Sequence, residues 1–287
     1  KRECIMNLKL LHIFLLSTAG TFLLCTPFIN TVELANGLVT GKMCWFHLAM
    51  LFFSVCVFFV MLTKKGTVIA FTFSDPLVLF FAGGVLITYK WNLNPEPEKL
   101  IFAGQLVILW FLLRYVLTAY REFKFFFLFV LMFTGLIEAV WGMQQLHGYS
   151  HSNHSLFRLT GSFFNPGPYS GYIAVILPVC LWTALRFQKG MHYFAWICVG
   201  AILIVLPAGM SRSAWIAAVV ACGWVYWTER IGWEKTKAVY RRYKNATIPF
   251  VAIVAILAGC AIAGGYGMKR DSADGRLLMW KVTGKAI

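Results

Sequence analysis

Apolar positions run along this chain in long unbroken blocks, with neither the two-residue alternation of a half-buried strand nor the narrow stripe of a surface helix. Crossing the hydrocarbon of a bilayer takes about 20 consecutive apolar residues. Nine blocks reach or approach that length, at roughly 8–28, 43–62, 72–89, 100–120, 123–144, 169–187, 191–208, 211–228 and 248–267. The pattern predicts an all-α polytopic membrane protein, with a helical domain over 1–267 and, over 268–287, the start of a large loop outside the membrane. Short polar connections between most blocks predict antiparallel neighbours. Pro76, Pro178 and Pro207 fall in or at the ends of blocks, where membrane helices tolerate proline. Through 161–168 the density of Gly and Pro predicts a broken, loop-like segment between the fifth and sixth spans, within an outer or re-entrant loop over 145–168.

Composition supports the same class. Hydrophobic residues make up 60% of the chain and charged residues only 13%, where a soluble domain carries about a quarter charged residues. The eight cysteines are scattered through apolar blocks with no CxxC pair, so they read as small core residues and not as a zinc or disulfide frame. A net charge of +15 raises nucleic acid as a partner, but no basic groove with interleaved aromatics accompanies it. The charges instead follow the loops. With the N-terminus in the cytoplasm, fifteen Lys and Arg fall on the inner side, against Lys42, Lys90, Lys99, Arg158 and Arg212 in the outer loops before the tail. This is the positive-inside pattern, with attraction to anionic lipid headgroups. It places 145–168 and the basic tail on the outer side, and makes 229–247 an amphipathic segment on the inner leaflet. The first block lacks an A-x-A-like cleavage site, so it reads as a retained span. A start at Lys1 and an end in helix-like sequence predict a fragment of a longer protein.

Candidate chemistry gathers on the outer side. The stretch Arg158-Leu-Thr-Gly161-Ser-Phe-Phe-Asn165-Pro-Gly-Pro-Tyr-Ser-Gly171 combines an arginine with backbone amides that could hold an anion. Arg212 opens the eighth span with Ser211 or Ser213 as its cap, and an arginine at a helix N-terminus favours anions. Arg276 lies on an interfacial helix begun at Gly275, with Asp274 as cap. Glu138 sits inside the fifth span, where a carboxylate needs a partner or a role; Arg158, Arg212 and Arg276 are the candidates, and Gln144 and Gln145 extend the polar patch. Arg114, near the inner end of the fourth span, is expected to snorkel. His147, His151 and His154 are spaced for a metal if helical, but Gly148, Ser150, Ser152 and Asn153 between them favour a solvated loop, and no metal is expected.

Four pieces in order resemble the O-antigen ligase and O-antigen polymerase superfamily. They are Glu138-Ala-Val-Trp-Gly-Met-Gln144-Gln145, Gly161-Ser-Phe-Phe-Asn165-Pro-Gly-Pro-Tyr-Ser-Gly171, Ser211-Arg-Ser-Ala-Trp215 and Gly275-Arg-Leu-Leu-Met-Trp280-Lys. The resemblance covers the chain from about 130 onward. It implies a GT-C-like helical transferase of the bacterial inner membrane with its site on the periplasmic face. Such an enzyme moves a glycan from undecaprenyl diphosphate to a hydroxyl of lipid A–core, a polysaccharide or a protein, with no metal or other cofactor. By motif, Arg212 and Arg276 match the diphosphate-holding arginines, and Arg158 is a third. Gly161, Asn165, Glu138 and Ser211 are the accompanying substrate-side residues. The family's base is a histidine late in a large outer loop, a part that this sequence does not contain. A flippase for lipid-linked anionic glycans and a non-enzymatic membrane scaffold are the alternative classes.

Overall fold

A computed structural model describes residues 2–232, apart from 32–35, 65, 68, 70, 73 and 92–95. All regular structure among the described residues is helical. The helices are α1 (Arg2–Leu24), α2 (Gly37–Thr63), α3 (Ser74–Trp91), α4 (Pro97–Ala119), α5 (Arg121–Leu146), α6 (Pro166–Arg186), α7 (Gly190–Val205) and α8 (Arg212–Tyr226). The chain divides into two compact units, Lys1–Tyr226 and Trp227–Ile287. Of the second, only 227–232 is described, with a π-helical turn at Trp227–Ile231. The ninth predicted span, the inner-leaflet segment beyond 232 and the whole tail with Arg276 lie outside the described residues.

Eight of the nine predicted spans coincide with helices. Six segments are long and apolar enough to cross a bilayer: Met6–Leu24, Gly37–Thr63, Pro97–Ala119, Arg121–Leu146, Pro166–Arg186 and Gly190–Gly209. With large apolar side chains exposed along most of them, this is a helical membrane protein. Two predicted spans fall short of that measure. α3 is 18 residues long, with Ser74, Asp75 and Pro76 at one end and Lys90 at the other, which shortens its apolar run. α8 is 15 residues long.

The core is built in three parts: one around Leu23 of α1 with Phe46, Ala49 and Met50 of α2, and two joined by α5. Near its N-terminus, Phe123 packs into a cluster with Leu16 and Ala19 of α1, Phe53 and Val57 of α2 and Val116 of α4. Further along, Met132 and Ala139 pack with Ile173 and Leu177 of α6, Cys198 and Ile202 of α7 and Ala214 and Ala218 of α8. α5 therefore runs along the seam of the bundle.

The two ends of the bundle differ. At one, the Lys9 ammonium pairs with Glu122 at 2.6 Å. Buried His12 bridges the Tyr120 hydroxyl (2.6 Å) and the Thr63 hydroxyl (2.8 Å). Lys64 donates to the Ala119 carbonyl and lies 4.0 Å from the centre of the Tyr120 ring. Burial holds the Lys64 ammonium below its ordinary pKa; the Lys9 charge presses the same way and Glu122 opposes it. Burial likewise pushes the Tyr120 phenol up, helped by Tyr115 and Glu122. The other end carries the connection between α1 and α2, the long loop between α5 and α6, and the turn from α7 to α8; it is called the loop rim below.

Arg114 does not snorkel as its position in the sequence predicts. Asp75, fully buried at the start of α3, accepts hydrogen bonds from the Arg114 guanidinium and, at 2.9 Å, from the Trp110 indole of α4. Its second oxygen accepts from the Thr72 amide at 2.6 Å. This polar knot pins α3, most of whose apolar side chains are exposed, to α4.

Candidate functional site

The irregular segment is shorter than its sequence predicts. α5 ends at Leu146 and α6 begins at Pro166, so 147–165 is the loop. Pro166, Gly167 and Pro168 belong to the first turn of α6, because a proline there gives up only an amide that a helix start leaves unpaired anyway. Asn165 sets that start: its backbone is extended, and its side-chain oxygen accepts the Gly167 amide at 3.0 Å.

Two side chains of α5 grip the loop from beneath. The Gln145 amide oxygen accepts the Thr160 amide at 2.9 Å and the Gly161 amide at 2.7 Å, and its nitrogen donates to the carbonyls of His151 (3.0 Å) and Gly161 (3.1 Å). Asn153 reinforces the same turn, donating to the carbonyls of Gly161 at 3.3 Å and Phe163 at 3.1 Å. About two helical turns earlier, Glu138 is wholly buried. One of its oxygens accepts the Ser162 amide at 3.0 Å, and the other faces the Ser162 hydroxyl at hydrogen-bond distance. Close approach makes this possible. Gly161 has φ +55°, and a Cβ there would overlap both the Glu138 carboxyl and the Tyr169 ring; a Cβ on Gly142 of α5 would overlap the Tyr169 hydroxyl.

The arginines predicted to pair with Glu138 do not do so among the described residues; Ser162 does. The Ser162 hydroxyl also lies 2.7 Å from the Pro27 carbonyl. The single hydroxyl hydrogen of Ser162 is therefore shared between the Glu138 carboxyl and the Pro27 carbonyl. The Lys42 ammonium, in the second turn of α2, donates to the same Pro27 carbonyl and, at 2.8 Å, to that of Ile29. Glu138, Ser162, the Pro27 carbonyl and Lys42 thus form one chain of contacts linking α5, the loop, the α1–α2 corner and α2. Beside it, Lys42 and Asn165 border an apolar groove of about 340 Å³ lined by Val39, Phe46, Phe102, Phe163 and Pro168.

These contacts overturn one expectation. The amides of Thr160, Gly161 and Ser162 are occupied by Gln145 and Glu138, so Gly161 is a positioning element of the loop and its backbone is not open to an anionic ligand. Arg158 is exposed and lies in a polar pocket with His147, His151 and His154. No group of three or more His, Cys, Asp or Glu suited to a metal occurs among the described residues.

Arg212 is held at the same rim by the packing of α6 on the α7–α8 turn. The Ser170 hydroxyl approaches the Pro166 carbonyl at 2.7 Å and the Gly209 carbonyl at 3.2 Å, and a Cβ on Gly209 would overlap it. The Trp215 indole donates to the Leu206 carbonyl at 2.9 Å, closing the turn. Ser211 gives its carbonyl to the Trp215 amide at 3.1 Å, and its hydroxyl stands 3.3 Å from that of Ser213. The half-buried Arg212 side chain has no hydrogen bond or ion pair to the described residues. Arg158 and Arg212 therefore share a rim, while Arg276 lies outside the described residues.

Sequence reasoning passed over Lys42, read only as an outer-loop charge, and Ser162. The available signal for Ser162 was its place beside a glycine in a loop facing a buried carboxylate. Lys42 offered none, since its partners are backbone carbonyls. Comparison of the chain with family models, with characterised proteins and with solved structures returns no match.

Proposed function

We propose that this protein is a metal-independent glycosyltransferase of the O-antigen ligase and polymerase type, with a GT-C-like helical body in the bacterial inner membrane and its site on the periplasmic face. The donor is a glycan on undecaprenyl diphosphate, and the acceptor is a hydroxyl of lipid A–core, a polysaccharide or a protein. The observation that carries the reading is Arg212. It opens α8 without a hydrogen bond or ion pair to the described residues, on the rim where Glu138 and Gln145 hold the loop in one conformation and an apolar groove lies beside Lys42. A lipid-borne anionic donor needs these parts together: a cation near the membrane boundary, a fixed surface for the sugar, and apolar walls for the chain.

In the reaction, the acceptor oxygen bonds to the anomeric carbon and gives up its proton to a base. The bond from that carbon to the diphosphate oxygen breaks, and the electron pair leaves with the diphosphate. Arg212 neutralises the growing negative charge through forked hydrogen bonds, a role that preorganised donors fill without a metal; the resemblance gives Arg276 the same role, and that residue lies outside the described residues. Asn165 and Ser211 flank this position at the starts of α6 and α8. Glu138 and Gly161 act from below by fixing the loop.

Transfer from an undecaprenyl-diphosphate-linked glycan by the full-length protein in lipid nanodiscs tests the reading. Arg212→Lys keeps the charge and loses the fork; we expect it to lower transfer by about tenfold or more at an unchanged melting midpoint. Wild-type transfer by this variant counts against the site.

A further inference from the structure

The pocket over Gln145 has a composition that the transfer reaction does not use. It measures about 560 Å³ and is lined by His147, Ser150, His151, His154, Ser155 and Arg158, among others, with no carboxylate in its wall. Several of these groups have donors with no partner among the described residues. The Ser150 hydroxyl is buried and makes no hydrogen bond to the described residues, and an unpaired buried polar atom calls for a partner. His154 accepts the Leu156 amide on Nδ1 at 3.0 Å, which leaves its Nε2–H as a donor. Arg158 makes no hydrogen bond or ion pair to the described residues. The floor is rigid, since Gln145 holds the His151 and Gly161 carbonyls from below and Ser152 meets Thr160 at 3.2 Å.

We propose that this pocket binds a phosphate monoester, the tetrahedral group presenting its oxygens to Arg158, Ser150 and the His151 and His154 rings. Donors arrive from several directions, and a monoester offers three strong acceptor oxygens where a carboxylate offers two. A forked guanidinium is well matched to phosphate, and the volume lies within the range of small-molecule sites. Arg158 thereby belongs to a second anion site, apart from the one assigned to Arg212. Binding is read directly, so this assignment stands or falls independently of glycan transfer. The same chemistry could be carried by a phosphorylated sugar or by a lipid headgroup.

Two arms separate those sources. In the first, the full-length protein in uncharged maltoside micelles is titrated calorimetrically with glucose 1-phosphate and with glucose. In the second, retention of phosphatidic acid over phosphatidylcholine from mixed nanodiscs is measured by native mass spectrometry. We expect saturable binding of the phosphate-bearing probe in at least one arm and none of glucose. We expect Arg158→Ala to weaken it about tenfold or more and Ser150→Ala several-fold, with wild-type melting in both variants. Response in the first arm assigns a phosphorylated sugar, and response in the second alone assigns a headgroup. Absence of saturable phosphate-dependent binding in both arms, or binding unchanged in both variants, overturns the proposal.

Discussion

At the scale of single residues, the loop owes its shape to Glu138 and Gln145, seven residues and about two turns apart on one side of α5. Glu138 meets the Ser162 amide with one oxygen and the Ser162 hydroxyl with the other. Gln keeps an oxygen for the amide and an NH2 that can donate to the hydroxyl oxygen. Glu138→Gln should therefore leave the melting midpoint within a few degrees of wild type. Glu138→Leu strands the buried Ser162 amide and should cost about 1–3 kcal/mol, with faster proteolysis within 147–165. If the glutamine variant is as unstable as the leucine one, the loop needs two accepting oxygens at this position. Gly161→Ala places a methyl against the Glu138 carboxyl in a left-handed backbone conformation and should cost about 2–3 kcal/mol, measured by the same melt. Sequence alone singled out Glu138, Gln145 and Gly161, because a carboxylate inside a span and glycine beside prolines are locally anomalous. Among the described residues Glu138 is partnered by Ser162, and neither Arg158 nor Arg212 reaches it. Electrostatic complementarity suggests arginine, whereas Ser162 and Lys42 reach the site through backbone geometry that no spacing rule encodes.

At the scale of elements, helices were legible because twenty apolar residues in a row leave few alternatives. The first turn of α6 was not, since proline and glycine read equally as loop or as helix start, and only the extended Asn165 with its cap decides between them. α3 is the least secured of the described helices, with Asp75 as its polar anchor on α4. Removing one partner of a buried ion pair is more damaging than replacing both with apolar groups. Asp75→Ala should lower the melting midpoint by several degrees, and Asp75→Ala with Arg114→Met should recover much of the loss. A double variant less stable than the sum of its single changes would show that the pair does not act as a unit. This anchor escaped sequence reading because Arg114 and Asp75 lie on different helices, each near a span end where a lone charge is unremarkable.

At the scale of the whole molecule, the distribution of lysine and arginine predicts a sidedness that the bundle itself does not carry. In a cysteine-free background, Ser155→Cys in the α5–α6 loop should react with a membrane-impermeant maleimide added from outside, and Gln188→Cys between α6 and α7 only after the inner face is opened. The reverse pattern would invert the topology and put Arg212 in the cytoplasm. One contact has a bearing on biogenesis. The Pro27 carbonyl that receives Ser162 belongs to a corner made more than a hundred residues earlier in the chain. Synthesis proceeds from the N-terminus, so that corner and Lys42 have already left the ribosome when residues 158–165 emerge. The first hairpin thus serves as a template on which the late loop sets, and a nascent chain with a misinserted first hairpin would deliver the loop with nothing to mould it.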